Sequence, residues 1–335
     1  MYEAKYHNTE LNNKTFLITG GAGFIGSNLV EYLLKHGAGK VRVLDNLSNG
    51  FYKNIEAFVD NPAFEFINGD IRDKETCVKA LEGIEYVSHQ AALGSVPRSI
   101  NDPQTTNEVN ISGFLNMLVA ARDAKVKAFV YAASSSTYGD SKILPKVEDV
   151  IGQPLSPYAI TKYVNELYAN VFSSVYGFHT IGLRYFNVFG PRQDPKGAYA
   201  AVIPLFMDAI TVDTPARING DGGQTRDFTF VENAVQANIK GMLSQAGLAK
   251  AEVINIAYGQ RISLNELWAE LLETAGKKIE PIYGPDRPGD VRDSLADISK
   301  AGNLIGYKPE FSVFDGLKIT YQWFIQNQEF IKKSK

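Results

Sequence analysis

The chain has 335 residues, 44% hydrophobic and 21% charged, a balance that excludes disordered and fibrous classes and suits about two domains of ordinary globular protein. Lysine plus arginine number 34 against 37 acidic residues, a net charge of −3 with no like-charge block, so no nucleic-acid surface is expected. The one cysteine, Cys77, rules out an internal disulfide, no Cys/His cluster has metal-ligand spacing, and no apolar leader or membrane-length apolar run is present, which together predict a cytoplasmic protein without metal or membrane.

After a polar extension over residues 1–14, short β-branched runs alternate with amphipathic stretches. Strands are predicted at Thr15–Thr19, Lys40–Asp45, Phe64–Gly69, Tyr86–Ala92, Ala128–Ser134 and Thr180–Val188, with helical patterns between most of them. Phe16-Leu17-Ile18 and Ala128-Phe129-Val130 are apolar on both faces, as strands of a parallel sheet covered by helices on both sides must be. Past about Asn187 the chain becomes dense in Gly, Pro and Asp through Gly190–Pro195 and Asn219–Gly223. A helix at Val231–Gln245, a strand at Glu252–Ala257 and helices at Ser263–Ala275, Asp297–Ile305 and Val313–Gln326 follow.

The turn after the first strand, Thr19-Gly20-Gly21-Ala22-Gly23-Phe24-Ile25-Gly26, carries Gly20, Gly23 and Gly26 at three-residue intervals and opens a helix. Glycines let the backbone approach a pyrophosphate, whose charge meets the free amides and positive dipole end of the helix. Asp45 ends the second strand, where its carboxylate accepts hydrogen bonds from an adenosine ribose and repels a 2′-phosphate, favouring NAD over NADP. The fold class predicted is therefore α/β, a Rossmann-type doubly wound parallel sheet over residues 1–185, with a smaller C-terminal α/β substrate-binding domain over 186–335 and chain crossings between the two left open. Asp70, Ile71, Gln90, Ala91 and Ala92 follow later strands at ends where open α/β sheets hold ligands, as adenine and ribose neighbours. Asp70 reads equally as a helix N-cap.

Tyr158 and Lys162 stand four apart at the start of a helix after Pro157, hence on one face, with the ammonium able to act on the phenol. A phenol that loses its proton near neutrality needs its pKa brought down from about 10 to about 7, or about 4 kcal/mol of stabilisation. A serine from the strand end Ser134-Ser135-Ser136-Thr137 would hydrogen-bond the reacting oxygen.

With the glycine turn, the serine cluster and the Tyr-Lys pair in this order, the chain resembles the extended short-chain dehydrogenase/reductase family, and within it the nucleotide-sugar 4-epimerases, from Thr19 to about Gly306. The resemblance implies Ser134, Tyr158 and Lys162 as the catalytic set, with Ser135 and Ser136 beside the sugar. It implies NAD contacts at Phe24, Ile25, Asn46, Ser48, Gly50, Asn110 and Phe186. Related dehydratases and decarboxylases place an acid before the Tyr-Gly pair, whereas only hydroxyl residues precede Tyr138-Gly139 here. Asn187, Arg226, Arg287 and Asp290 match positions that hold uridine and diphosphate, with Ala200, Ala201, Arg217 and Asn219 as weaker candidates. Ser294 matches a gate beside the sugar's 2-substituent, where serine leaves room for an N-acetyl group.

With Ser294, the segments Gly94–Ser99 and Tyr199-Ala200-Ala201 match epimerases that prefer N-acetylated substrates, so UDP-N-acetylglucosamine is the first-choice substrate; Ser95, Arg98 and Ser99 are expected near the sugar's 6-position, where Arg98 suits a carboxylate, so its uronate is an alternative, as is UDP-glucose/UDP-galactose. A net nucleotide-sugar reductase and a non-catalytic NAD-binding sensor are the remaining readings. Polysaccharide synthesis as the pathway and a homodimer through Thr105–Ala124 and the helix carrying Tyr158 are also implied. His89 and Cys77 read as packing residues.

Overall fold

The computed structural model describes residues 1–195, 200–244, 248–285 and 292–328. At its centre seven strands, β1 (Thr15–Thr19), β2 (Lys40–Asp45), β3 (Phe64–Asn68), β4 (Tyr86–His89), β5 (Ala128–Ser134), β6 (Ile181–Tyr185) and β7 (Glu252–Ile256), pair in the order β7-β6-β5-β4-β1-β2-β3. Every pairing in this sheet is parallel. Successive side chains point to opposite faces, and both faces are dry. Phe16, Ile18, Val41 and Val43 meet one helical layer, built on Phe24–Lys35 and Val231–Leu243. Leu17, Leu44, Val87 and Phe129 meet the other, built on Lys74–Ala80, Phe114–Asp123 and Pro157–Tyr176. Strand order reverses between β1 and β4, which opens a crevice at their C-terminal ends.

Two strands stop three residues earlier than the sequence predicts. β4 ends at His89 rather than Ala92, and β6 at Tyr185 rather than Val188. Asn187 takes φ 38, turning the chain so that Val188–Phe189 pairs with Thr229–Phe230 instead. The boundary expected at 185/186 is crossed, because the helix Val231–Leu243 packs under the sheet and β7 then extends it beside β6. The remaining C-terminal elements form a separate apolar cluster, in which Phe206, Trp268 and Leu317 join the helices Val202–Thr211, Leu264–Ala275 and Val313–Gln326. Both Ser263 and Ser312 close capping boxes that start the last two of these helices.

A buried ion pair aligns the long helix Pro157–Tyr176 on the sheet. Arg184 on β6 donates to both carboxylate oxygens of Glu166, at 2.9 and 2.7 Å, with each side chain 4% exposed. The bidentate geometry fixes the rotation of the helix as well as its position. Glu166 lies four residues beyond Lys162 and eight beyond Tyr158, so the same face that is clamped to β6 presents those two side chains to the crevice.

Candidate active site

A cleft of about 660 Å³ runs along the C-terminal ends of the strands, from β2 across β1 and β4 to β5. Its first wall is the glycine turn. Gly20 has φ +66, and a Cβ there would meet the backbone of Ala91 at 2.7 Å; one on Gly26 would lie 2.2 Å from the carbonyl oxygen of Gly20. No side chain caps the helix Phe24–Lys35 at Gly23, so its first amides face the cleft available to a ligand. A cradle this close to bare backbone fits the pyrophosphate of a dinucleotide.

Asp45 closes the end of that wall. Its carboxylate accepts from the amides of Ala22, at 3.0 Å, and Leu47, at 2.8 Å, and so ties the glycine turn to β2. Burial raises its pKa against those hydrogen bonds. Asp70 accepts from Asn46 at 2.8 Å and pairs with Arg72, which holds its carboxyl down at about 2. The helix Lys74–Ala80 is capped by Asp73, not by Asp70, which is thereby left at the cleft.

On the far side, Ser134, Tyr158 and Lys162 line the same cleft. Lys162 is buried, and its Nζ donates to the carbonyl of Ala132 on β5 at 2.8 Å and stands 6.0 Å from the centre of the Tyr158 ring. Burial lowers its pKa to about 8. Burial also raises the Tyr158 phenol, and a hydrogen bond with Ser134 opposes that shift. Ser134 ends β5, and its Oγ accepts from the amide and hydroxyl of Ser136, at 3.1 and 2.9 Å. Thr137 is buried, donating to the carbonyl of Ser134. Among the described residues no acidic side chain joins this group of hydroxyls at the strand end.

Of the residues expected around NAD, the three glycines with Phe24 and Ile25 line the cleft, as do Asp45, Asn46, Ser48 and Gly50. So do Asp70, Ile71, Gln90, Ala91 and Ala92. Asn110 and Phe186 do not. Asn110 is buried, exchanging hydrogen bonds with the backbone of Leu93 and donating to Thr161, and Phe186 packs against Tyr138. Of those expected around the sugar nucleotide, Ser95, Arg98, Asn187, Ala200 and Ala201 line the cleft. Ser99 is turned into the fold, its hydroxyl donating to Val96, and the half-buried Ser135 and Ser136 do not line the cleft, although the Ser136 hydroxyl reaches Ser134.

Arg217, Asn219, Arg226 and Ser294 sit beyond the cleft lining in the C-terminal part. Arg226 donates to the carbonyls of Thr225 and Arg292, and Ser294 hydrogen-bonds through its amide to Thr225. Arg287 and Asp290 lie outside the described residues.

The sequence reading missed Tyr185, Gln193 and Asp194, which also line the cleft. Tyr185 donates to Gln90 at 3.3 Å and accepts from Asn238 at 2.7 Å, joining the floor of the cleft to the helix Val231–Leu243. Its signal was masked because the strand was read through to Val188. His89 is buried against Phe114 and Phe129 and bonded to Thr19, with its pKa pushed down to about 3, so it stays neutral and structural. Cys77 donates to Ile71, its thiol pushed up to about 12 by burial. Among the described residues no cluster of three potential metal ligands occurs, and no helix is long and apolar enough to cross a membrane.

The model of the NAD dependent epimerase/dehydratase family matches residues 16–257. A UDP-N-acetylglucosamine 4-epimerase from Methanobrevibacter ruminantium M1, solved with UDP-N-acetylmuramic acid, superposes with a TM-score of 0.88 at 38% identity, covering 94% of this chain and 99% of the other. A UDP-glucuronic acid 4-epimerase from Bacillus cereus, solved with UDP-glucuronic acid and NAD, gives 0.86 at 33% identity, covering 93% and 99%. The UDP-glucose 4-epimerase of Mycolicibacterium smegmatis is 36% identical over 92% of this chain and 97% of its own.

Proposed function

The chain belongs to the NAD dependent epimerase/dehydratase family, and from that premise we propose that it inverts carbon 4 of a UDP-sugar, with UDP-N-acetylglucosamine and its galacto epimer as the preferred pair. The observation that carries this reading is the meeting of Ser134, Tyr158 and Lys162 on the cleft that begins at the glycine turn. NAD, when bound along that turn, supplies the acceptor and then the donor of the carbon-4 hydride. Tyr158 takes the proton of the 4-hydroxyl while Ser134 holds the oxygen, and Lys162 lowers the energy of the phenolate through its charge. The 4-keto sugar turns over in the cleft, and Tyr158 returns the proton once hydride has come back to the other face. No net redox change results, so the cofactor can stay bound.

Burial alone raises the Tyr158 phenol, so the positive charge of Lys162 and of the oxidised cofactor must outweigh it for the phenol to act as a base. The absence of an acid among Ser134–Thr137 favours epimerisation over elimination. Ser294 supports the acetamido substrate only through its match to the family's gate position, where a serine leaves room that an aromatic would fill. Arg98 supports a second reading, a sugar with a 6-carboxylate, since it lines the cleft beside Asn49.

Proton NMR of UDP-N-acetylglucosamine with the purified protein and no added NAD tests the first reading. Growth of the galacto anomeric signal to an equilibrium mixture is expected; turnover of UDP-glucose alone would overturn the acetamido preference. A product of this kind supplies acetamido sugar for polysaccharide synthesis. Ile160, Leu167, Val171 and Val175 form an exposed apolar stripe on the helix Pro157–Tyr176 and support a homodimer, which light scattering would show as twice the 36.9 kDa chain mass.

A further inference from the structure

The segment before β1 is not a loose extension. Tyr2, Tyr6 and Leu11 are buried, and the segment crosses the helices Phe24–Lys35 and Val231–Leu243. Tyr6 donates through its hydroxyl to Glu232 and through its amide to Tyr32, while the amide of Tyr2 also donates to Glu232. One contact differs from these because it leads towards the cleft. The hydroxyl of Tyr2 donates to Oδ1 of Asn28 at 2.5 Å, and Nδ2 of the same buried side chain donates to the carbonyls of Phe24, at 2.8 Å, and Pro191, at 3.2 Å.

Asn28 is fully buried, so the orientation of its amide is set by these three partners. Two carbonyls require Nδ2, and the Tyr2 hydroxyl supplies the one donor to Oδ1. Loss of that donor leaves a buried acceptor without a partner and loosens the side chain that holds the two carbonyls. The loop on the other side is fastened to the same helix by Arg192, which donates to the carbonyl of Ser27 and pairs with Glu31. Tyr2 and Arg192 both hold left-handed backbone, φ 65 and 70, which side chains of their size rarely adopt without such restraints. Beyond Arg192 come Gln193 and Asp194, which line the cleft.

We propose that Tyr2 is a positioning residue for substrate binding: through Asn28 it fixes the loop Pro191–Asp194 on the cofactor helix and so sets one wall of the nucleotide-sugar site. The proposal rests on the UDP-sugar class and not on the choice of sugar, so UDP is the probe. Calorimetric titration of NAD-loaded enzyme with UDP should show Tyr2→Phe and Asn28→Ser each weakening binding about threefold to tenfold, the size of one lost hydrogen bond, with NAD content unchanged. The double variant should be no weaker than the poorer single one, since both cut the same relay.

Tyr6→Phe is the control. It loosens the same segment at Glu232, and should lower the melting temperature while leaving UDP affinity within twofold. Equal UDP affinity in Tyr2→Phe and the unaltered enzyme, losses that multiply in the double variant, or a Tyr6→Phe loss as large as that of Tyr2→Phe would each overturn the proposal. UDP binding by the unaltered enzyme without epimerisation of any nucleotide sugar would sink the proposed function and leave this test intact.

Discussion

The two banks of the cleft are built by different means. The cofactor bank is one contiguous turn between β1 and the helix Phe24–Lys35, backed by carboxylates at two neighbouring strand ends, and it offers backbone amides that only glycine permits a ligand to reach. The opposite bank gathers side chains and loop backbone from two stretches: Arg98 from between β4 and β5, and Asn187, Gln193 and Ala200 from the turn and loop that follow β6. A backbone site is written into a short stretch of chain and tolerates little change. A side-chain site is assembled by the fold, and can be altered one residue at a time without touching the chemistry at Tyr158. The first bank is thus suited to a fixed cofactor, and the second to a choice among sugars.

The catalytic floor between the banks should give the largest effect. Tyr158→Phe removes the proton carrier while keeping the ring, and turnover should fall by about three orders of magnitude or more with NAD still bound, as single-turnover kinetics and the cofactor absorbance would show. Near-normal turnover would refute the phenol's role. Next comes the cofactor bank. Gly26→Val places side-chain atoms where Gly20 already lies within 2.2 Å of a Cβ, so the purified protein should carry little or no NAD; full NAD content would show that the turn can relax.

A smaller effect is expected from pH. Lys162, with a pKa of about 8, keeps its charge below that value and loses it above, so kcat should fall as pH rises through about 8. An alkaline limb lying well above pH 9 would show that kcat does not follow a lysine ionisation near 8. Smallest is the effect of Ser294→Tyr, at the position matched to the sugar's 2-substituent. The substitution should lower kcat/KM for UDP-N-acetylglucosamine by about tenfold relative to UDP-glucose, with NAD content unaffected, and an unchanged ratio would place the 2-substituent elsewhere.

The same contrast governs how much of the molecule is legible in its sequence. Parallel strands buried on both faces announce themselves as short apolar runs, and the glycine turn and the Tyr158-Lys162 spacing are local patterns, so the sheet, its first turn and the catalytic helix were legible. Asn110 and Phe186 show the limit. Family position puts them at the cofactor, and no local pattern shows that Asn110 braces the loop at Leu93 and the helix at Thr161 or that Phe186 packs against Tyr138. Gln193 and Asp194 carried no local signal because their place on the cleft depends on Arg192 reaching Glu31 in a helix far earlier in the chain. The early end of β6 was equally hidden, since residues 186–188 remain apolar enough to read as strand while Asn187 turns the backbone.

The strand β7 has a consequence for how the molecule is made. It completes the sheet beside β6, yet it is synthesised only after the loops that form much of the opposite bank. While the ribosome extends the chain beyond Tyr185, the sheet is one strand short, and the backbone of β6 presents an open edge next to apolar Ile181 and Leu183. The helix Val231–Leu243, which covers β4, β5 and β6, is missing over the same interval. Nascent chains halted between these points are therefore sticky and non-native, and the nucleotide half acquires its stability only in the last stage of translation. A fragment ending at 185 lacks both the strand beside β6 and the helix that covers β4, β5 and β6.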